Sequence, residues 1–352
     1  MVWTRRADEP ARRDIMKRKK ILFIGGSINQ TRIAHAVYRH LADDYEARFS
    51  PYYCDGFLRI LQQRGVLDFC ILGGQFRDRT MAYFRENRLP IDEGGRSGDY
   101  DLIVTTTDLL IQKNIRRKPI ILIQEGMTDP ENILFHLVRA LRLPRWLAGT
   151  STTGLSCAYD AFCVASHGYR RLFIRKGADA EKIVVTGIPN FDNAAAYRDN
   201  DFPLRGYVLA ATSDCRETFR LDSRAAFIRW ARDIAAGRPL VFKLHPNERT
   251  DRATAEIKRI VPQAVVFSDG DTNRMIANAD VLITQYSSVV YIGLALGKEV
   301  HSYFDLEELR RLLPQQNGGR SAARIARVCR GFLENEPDRF RAASWEQAAC
   351  ES

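Results

Sequence analysis

Long apolar runs are missing from this chain of 352 residues. No stretch approaches the roughly 18 to 20 residues that a membrane-spanning helix needs, so a protein that is soluble or peripheral at a membrane is expected. The seven cysteines are scattered and include no Cys-x-x-Cys pair, which argues against a disulfide framework and a structural zinc site and indicates reduced thiols in the cytoplasm. The Walker loop, the Gly-x-Gly-x-x-Gly fingerprint and the Gly-x-Ser-x-Gly elbow are missing too, which argues against P-loop nucleotide hydrolysis, NAD binding and serine hydrolysis.

Basic residues outnumber acidic ones, and the formal net charge is +10. Eight Lys or Arg residues lie among the first twenty positions, so residues 1–18 are interpreted as a flexible basic leader. It lacks an apolar core and is not expected to be a secretory signal. The charge favours an anionic partner, such as a nucleotide or an anionic membrane surface. Nucleic acid is disfavoured because no element interleaves aromatic with basic side chains.

Short apolar runs alternate with helical patterns along the chain, which is typical of parallel sheets covered by helices on both faces. The pattern predicts eleven strands. Those of the first half are Ile21–Ile24, Phe69–Leu72, Leu102–Thr105, Ile120–Ile123, Phe162–Val164 and Ile183–Val185. Those of the second half are Tyr207–Ala211, Leu240–Leu244, Ala264–Phe267, Val281–Ile283 and Val300–Tyr303.

The length of the chain suggests two domains, and the aperiodic stretch 191–205 is interpreted as their linker. The sequence therefore predicts an α/β fold of two doubly wound, Rossmann-like domains that face a cleft, at residues 19–190 and 206–336. A C-terminal helix and tail are expected at 337–352. Ligands of such sheets bind at the carboxyl edge, where loops and helix starts converge.

The segment 242–305 carries the most informative motifs. They are His245-Pro246, at the exit of one predicted strand, and Ser287-Ser288, just past the exit of a later one. Proline keeps the preceding residue extended, so the imidazole is expected at the strand exit, where it can donate to a phosphate or carry a proton. Ser288 is expected to cap the next helix, and N–H groups at a helix start attract anions. Phosphate is the expected ligand.

These motifs resemble the nucleotide-binding half of glycosyltransferases with the GT-B architecture. The resemblance is nearest to capsule and teichoic-acid transferases, including CDP-glycerol glycerophosphotransferases, in which a His-Pro follows one strand and a Ser-Ser turn follows a later one. It covers roughly residues 205–305, and the N-terminal half agrees only in general plan. Members often hold the ribose with an acid shortly after the serine pair, where this chain has Tyr291, Ile292 and Gly293. Later candidates for that role are Asp305, Glu307 and Glu308.

The resemblance implies a transferase of cell-envelope polysaccharide synthesis that takes a nucleotide-activated sugar as donor and a glycan or lipid-linked molecule as acceptor. It implies no cofactor and no required metal ion, because N–H groups and cations stabilise the leaving diphosphate. The expected location is the cytoplasm, including the inner face of the membrane. His245 is implied as catalytic. The donor or phosphate-binding residues implied are Ser287, Ser288, Thr212, Ser213, Arg216, Lys243 and Tyr286.

Four of these donor-side residues have a further argument from the sequence. Thr212 and Ser213 follow the first strand of the second domain, and Arg216 is suited to bind a diphosphate with two hydrogen bonds. Lys243 lies two residues before His245 and so points to the same face of its strand. Ordinary turn chemistry, or a lysine stem lying along the sheet, is the alternative.

The first strand runs into Gly25, Gly26 and Ser27, and Gln30–Leu41 has a helical pattern. Two glycines either let the backbone approach a ligand or simply make the turn. In the resembled enzymes such a loop faces the acceptor or the donor phosphates, and the acceptor side is the role expected here.

Carboxylates follow other strands of the first domain. Glu125 comes after Ile120–Ile123, where a general base facing the cleft is expected, and loop ordering is the alternative. Asp108 is a rival base. Glu131 is expected in the first turn of the next helix, where the helix dipole favours an acid.

The segment Ile133–Leu147 combines large apolar residues with arginines at 139, 142 and 145. A basic amphipathic helix of this kind lies on anionic lipid, or packs its apolar side on the sheet. Pro144 is expected to end it.

Other functions remain open on the sequence alone. A glycerophosphotransferase and a non-hydrolysing UDP-sugar 2-epimerase share the implied architecture, and the epimerase needs several acids in the cleft. A catalytically inactive nucleotide-binding module is the third alternative.

Overall fold

The computed structural model describes residues 18–213 and 223–336. Their strands are β1 (Lys20–Gly25), β2 (Glu46–Pro51), β3 (Leu102–Thr105), β4 (Ile120–Ile123), β5 (Ala161–Val164), β6 (Ile183–Val185), β7 (Val208–Ala211), β8 (Leu240–Lys243), β9 (Val265–Phe267), β10 (Val281–Thr284) and β11 (Glu299–Ser302). The predicted tail, Arg216 and all of the predicted leader except residue 18 lie outside these ranges.

Helices alternate with the strands as the sequence predicts. They are α1 (Ile28–Tyr38), α2 (Gly56–Gln63), α3 (Gly74–Glu86), α4 (Ile133–Ala140), α5 (His167–Lys176), α6 (Arg224–Ala235), α7 (Thr250–Ile260), α8 (Thr272–Asn278), α9 (Val290–Ala295), α10 (Leu306–Leu312) and α11 (Ser321–Leu333). Three short 3-10 helices span Arg145–Thr152, Ala180–Lys182 and Ala194–Arg198. Each of the helices in the described part of the chain is too short or too polar to cross a membrane.

The strands form two parallel sheets, which confirms the predicted fold class of two doubly wound Rossmann-like halves. The first sheet has the order β2-β1-β3-β4-β5-β6 and the second the order β11-β10-β7-β8-β9. In most strands every residue is buried, because helices cover both faces, and the sequence shows this as unbroken apolar runs. In each sheet the strand order reverses once, between β1 and β3 and between β7 and β10. Ligands of open α/β sheets bind outside the carboxyl ends of strands at such points.

Ten of the eleven predicted strands are confirmed, and one is wrong. Phe69–Leu72 lies in turns between α2 and α3, and Phe69 is 79% exposed. The strand that occupies the sheet edge instead is β2, which the sequence analysis missed. Its sequence is Glu-Ala-Arg-Phe-Ser-Pro, and only Ala47 and Phe49 are apolar residues buried in the core. Beyond β1, this strand is paired only by a single bridge between Phe49 and Ile91, and a strand at a sheet edge tolerates such charges.

The two halves are in contact through α5 of the first half and α9 and α10 of the second. Ser166, the N-cap of α5, donates through Oγ to the carbonyl oxygen of Leu312 at 3.0 Å. The hydroxyl oxygens of Tyr169 and Tyr291 lie 2.8 Å apart, and both rings are buried. Helix α11 returns to pack against α1 and β3 of the first sheet. The domain boundaries given by the sequence stay a prediction.

Candidate functional site

The reversal point of the second sheet brings together the exits of three neighbouring strands. The Oγ of Ser213, after β7, donates to Oε1 of Gln285, after β10, at 2.9 Å. The backbone N–H of His245, after β8, donates to Oγ1 of Thr212 at 3.0 Å. Ser287 follows Gln285 by two residues. The predicted Thr212, Ser213, His245 and serine pair therefore lie at one edge, at the place where a doubly wound sheet binds its ligand.

The imidazole of His245 has a defined tautomer in its neutral form. Its Nδ1 accepts a hydrogen bond from the backbone N–H of Asn247 at 3.2 Å, so the ring proton of the neutral form lies on Nε2. His245 lies past the end of β8, as the sequence predicts, and is half-buried. It is thereby suited to donate a hydrogen bond to an anion.

A buried carboxylate below this edge was missed by the sequence analysis. Glu248 accepts hydrogen bonds from the backbone N–H of His245 at 2.9 Å and from the hydroxyl of Thr212, and it forms an ion pair with Arg224 at the start of α6. The side chains of Glu248 and Arg224 are 0% and 3% exposed. Arg224 also donates to the carbonyl oxygen of Ser213 at 2.8 Å. This ion pair fixes the backbone of two strand exits relative to each other.

Lys243 lies at the carboxyl end of β8, but its ammonium group contacts backbone. Its Nζ donates to the carbonyl oxygens of Leu244 and Ser268, each at 2.8 Å. Burial lowers the pKa of this amine, and the nearby Asp269 and Glu248 oppose that shift. One of its protons thus ties β8 to the chain after β9, and a second is bound at the exit of β8 itself. A phosphate contact by Lys243 stays a prediction.

The serine turn differs in detail from the expectation. Helix α9 begins after Val289, whose backbone N–H lies 3.5 Å from Oγ of Ser287, so Ser288 is not the N-cap. The helix has only six residues, and its dipole is correspondingly short. Anion binding here therefore depends on the hydroxyls and turn N–H groups. Tyr286 is 48% exposed and packs edge-on against Tyr303 and Phe304, at 5.5 and 5.3 Å between ring centroids.

The first sheet presents an ordered loop at its own reversal point. Ser27 caps α1 by accepting from the N–H of Gln30 at 3.1 Å. A Cβ on Gly26 would lie 2.9 Å from the Cβ atoms of Ile71 and Tyr52, so close packing alone requires this glycine. On Gly25 it would lie 3.1 to 3.3 Å from atoms of Thr31, which is tight. The acceptor-side role of the Gly-Gly-Ser loop stays a prediction.

Glu125 connects that loop to the exit of β4. Its Oε1 accepts from Oγ of Ser27 at 3.0 Å and from Nδ2 of Asn29 at 3.3 Å, and its Oε2 accepts from Nε2 of Gln30 at 2.6 Å. The side chain of Asn190 donates to the backbone carbonyl of Glu125 at 3.2 Å. The carboxylate is therefore half-buried and held in place by three neutral donors. Such an arrangement suits a positioned base and equally suits a loop-ordering residue.

Asp108 is buried and accepts hydrogen bonds from the backbone. Its two carboxylate oxygens accept from the N–H groups of Gly154 at 3.0 Å and Ser156 at 2.9 Å, and Nη1 of Arg145 lies 3.9 Å away. With its side chain 1% exposed, this rival to Glu125 has no access to a substrate hydroxyl.

Glu131 does not belong to the first turn of a helix. Asn132 is the N-cap of α4 and accepts from the N–H of Phe135 at 2.9 Å, so Glu131 lies before the helix. The helix ends at Ala140, four residues before Pro144, and a 3-10 helix follows. In the sequence, the start of α4 is indicated by Asn132, which lies directly before an apolar run.

A cavity of about 270 Å³ lies between the two halves. It is lined by the loop after Glu125, by α5, by Tyr291 and by the chain from Phe304 to Leu312. Its carboxylates are Asp129, Glu131, Asp305 and Glu308. Asp305, a candidate for ribose binding, caps α10 by accepting from the N–H of Glu307 at 2.9 Å. Lys176, also at the cavity, is buried, and this burial lowers its pKa.

No protein-family model and no curated protein sequence matches the chain. Solved structures do. A Listeria monocytogenes protein provisionally assigned as a UDP-N-acetylglucosamine 2-epimerase superposes with a TM-score of 0.58 and 13% identity, over 91% of this chain and 98% of its own. The UDP-GlcNAc 2-epimerase of Neisseria meningitidis, solved with UDP-GlcNAc, superposes with a TM-score of 0.53 and 10% identity, over 88% of this chain and 99% of its own. The wall teichoic acid polymerase TagF, soaked with CDPG, superposes with a TM-score of 0.50 and 13% identity, over 91% of this chain and 90% of its own.

These proteins are built from two Rossmann-like halves. The chain has the GT-B fold. At 10 to 13% identity the likeness extends to the fold alone. It confirms the GT-B architecture that the resemblance of the His-Pro and Ser-Ser motifs implies.

Proposed function

We propose that the protein is a nucleotide-sugar-dependent glycosyltransferase that acts on a glycan or lipid-linked acceptor at the cytoplasmic side of a cell envelope. The observation that carries the proposal is the hydrogen-bonded edge formed by Thr212, Ser213, His245 and Gln285 at the reversal point of the second sheet. Two of the structural neighbours, solved with UDP-GlcNAc and with CDPG, support a nucleotide-activated donor.

The proposed donor site acts on the leaving group. The Nε2–H of His245 and the hydroxyls of Ser287 and Ser288 donate to the diphosphate, whose negative charge grows as the bond to the sugar breaks. Preorganisation matters here, because the Glu248–Arg224 pair already fixes the two strand exits before the donor binds. These donors stabilise the departing diphosphate without a metal ion.

The proposed acceptor site lies across the cleft. Glu125 takes the proton of the attacking hydroxyl, and the loop of Ser27, Asn29 and Gln30 holds its carboxylate in place. Contacts across the cleft, such as the Tyr169–Tyr291 hydroxyl pair, set how closely the two halves approach. Closure of the halves brings donor and acceptor together.

Product analysis tests the proposal against its nearest rival. The four carboxylates at the interdomain cavity favour a 2-epimerase as second candidate, because that reaction needs several acids in the cleft. Incubation with UDP-GlcNAc alone separates the two: an epimerase isomerises the sugar without an acceptor, whereas a transferase leaves it unchanged. A panel of UDP-, GDP-, TDP- and CDP-linked donors with envelope glycans as acceptors should then release nucleoside diphosphate only when both substrates are present. From CDP-glycerol, release of CMP would indicate the glycerophosphotransferase instead.

The variants Ser288→Ala and His245→Ala are each expected to weaken nucleoside-diphosphate binding by about 1 to 3 kcal/mol, the range for hydrogen bonds to charged groups. Calorimetric titration with UDP and CDP measures this. Ser97→Ala and His40→Ala are matched controls, because they remove the same groups from exposed positions of the first half, away from the proposed donor edge, and their affinities should equal that of the wild type. Unchanged affinity in both test variants would remove the donor-site assignment.

A further inference from the structure

Exposed large apolar side chains are concentrated in two segments of the first half. Twelve of the fifteen in the described part of the chain lie between residues 57 and 76 or between residues 133 and 147. The first group is Phe57, Ile60, Val66, Phe69 and Phe76, and the second is Ile133, Leu134, Leu137, Leu141, Leu143, Trp146 and Leu147. Contiguous exposed apolar surface of this kind marks an interaction site.

Helix α4 shows how the second group is presented. Phe135 and Val138 are buried, whereas Ile133, Leu137 and Leu141 recur every four residues and are 81%, 46% and 65% exposed. Residues four apart share one face of a helix. Helix α4 therefore has one buried apolar face and a second apolar face in solvent. The buried face packs on the 3-10 helix that follows, where Phe135 and Val138 form a cluster with Ala148 that is separate from the core around the sheet.

Helix α2 also exposes large apolar side chains, and it has no fully buried residue. Phe57 and Ile60, three residues apart, are 71% and 46% exposed. Phe69 follows in the next turns at 79% exposure. Helix α2 comes soon after the carboxyl end of β2, and α4 follows that of β4, so both belong to the same edge of one parallel sheet. This is the half to which the proposed function assigns the acceptor.

Basic side chains accompany both apolar groups. Arg139 and Arg142 are exposed beside the apolar face of α4, whereas Arg145 is bound to Asp108 and is not available. Residues 132–147 contain no acid. Near α2, Arg59 and Arg96 line a cavity of about 520 Å³, and neither forms an ion pair with any residue in the described ranges. The acids of this cavity are Asp68, which accepts from the N–H of Gly74, Glu93, which pairs with Arg77, and Asp78.

We propose that α4 and its 3-10 extension, together with α2 and the turns after it, form a face that docks on an anionic lipid bilayer. Exposed Leu, Ile, Phe and Trp side chains enter the acyl boundary, and the arginines contact lipid phosphates, as in amphipathic interfacial helices. A second copy of the chain is a poor occupant, because it would place the same arginines against each other. This proposal does not depend on which reaction the protein catalyses.

Vesicle flotation of the full chain tests the face. Wild type should bind vesicles of phosphatidylglycerol and phosphatidylcholine, and bind pure phosphatidylcholine far less. The double variants Leu137→Glu/Leu141→Glu and Phe57→Ser/Phe69→Ser should each lower the partition coefficient about tenfold or more, because each removes two inserting side chains. Val265→Glu, at an exposed apolar residue of β9 in the other half, is the matched control and should bind as wild type does.

Binding at high salt, the folding of the variants and the oligomeric state are measured as well. At 0.5 M salt, where electrostatic attraction by the basic N-terminal residues is screened, about tenfold differences between wild type and the apolar variants should persist. Equal melting temperatures and UDP binding would show that the variants are folded. The proposal is overturned if wild type does not bind anionic vesicles, or if both double variants bind them as wild type does. A dimer of the wild type that the variants lose would identify the face as a self-interface and overturn it as well.

Discussion

Replacing Glu248 with alanine is expected to lower the free energy of unfolding by about 3 to 5 kcal/mol, the cost of removing one partner from a buried ion pair. Arg224 and Glu248 are 3% and 0% exposed, so the arginine left behind has little access to water. The same change removes the acceptor for the N–H of His245 and the hydroxyl of Thr212. Urea denaturation, followed by circular dichroism, measures the loss.

Glu93→Ala is the matched control, because Glu93 pairs with Arg77 at the surface and is 53% exposed. Exposed pairs contribute only about 0 to 1 kcal/mol, so this variant should unfold nearly as the wild type does. The double replacement Arg224→Met/Glu248→Leu should recover part of the lost stability, since no unpaired charge is then buried. A Glu248→Ala variant as stable as Glu93→Ala would show that the pair does not hold the two strand exits.

Glu125→Gln is expected to lower kcat by about a hundredfold or more, as loss of a general base does. Glutamine keeps the size of the side chain and one acceptor oxygen, which can still accept from Oγ of Ser27, whereas its NH2 group cannot accept from Nε2 of Gln30. Most contacts of the loop, including the capping of α1 by Ser27, remain. Donor affinity should barely change, because Glu125 lies on the half opposite the proposed phosphate site. Steady-state kinetics, with calorimetric titration of the donor nucleotide, separates the two effects.

Glu131→Gln is the control for this experiment, because it removes a carboxylate from the same loop without touching the ordered contacts of Glu125. Its kcat should stay close to that of the wild type. If Glu125→Gln also turns over normally, Glu125 is an ordering residue of the loop, and the acceptor proton leaves by a substrate-assisted route. Asp108 is a poor replacement, since both of its oxygens accept from backbone N–H groups in the interior.

The sequence predicts most of the strands because buried parallel strands are continuous apolar runs, as in Ile120–Ile123. It fails at the edge of the first sheet for the same reason. Strand β2 has a charged and alternating sequence, whereas the apolar Phe69–Leu72 is a turn in which Leu72 is buried and Phe69 is exposed. Phe69 has a surface role under the proposal above. Apolar character alone does not distinguish a core strand from a surface that binds something else.

The parts of the candidate site that local motifs encode can be predicted from the sequence, whereas contacts between residues distant in sequence cannot. His245-Pro246 and Ser287-Ser288 were visible because each follows an apolar strand. The turn from His245 to Glu248, with proline at its second position and a hydrogen bond of 3.0 Å from the N–H of Glu248 to the carbonyl of His245, carried a local signal as well. The ion pair of Glu248 with Arg224, which lies 24 residues earlier in the chain, depends on the tertiary fold and has no local signal. The Tyr169–Tyr291 pair is of the same kind.

The central claim is that a nucleotide diphosphate binds at the reversal point of the second sheet. A crystal structure of the protein with UDP or CDP tests it most directly. The account predicts the diphosphate within hydrogen-bonding distance of Nε2 of His245 and of the turn at Ser287 and Ser288. A diphosphate bound instead at the Gly25–Ser27 turn of the first sheet would contradict it.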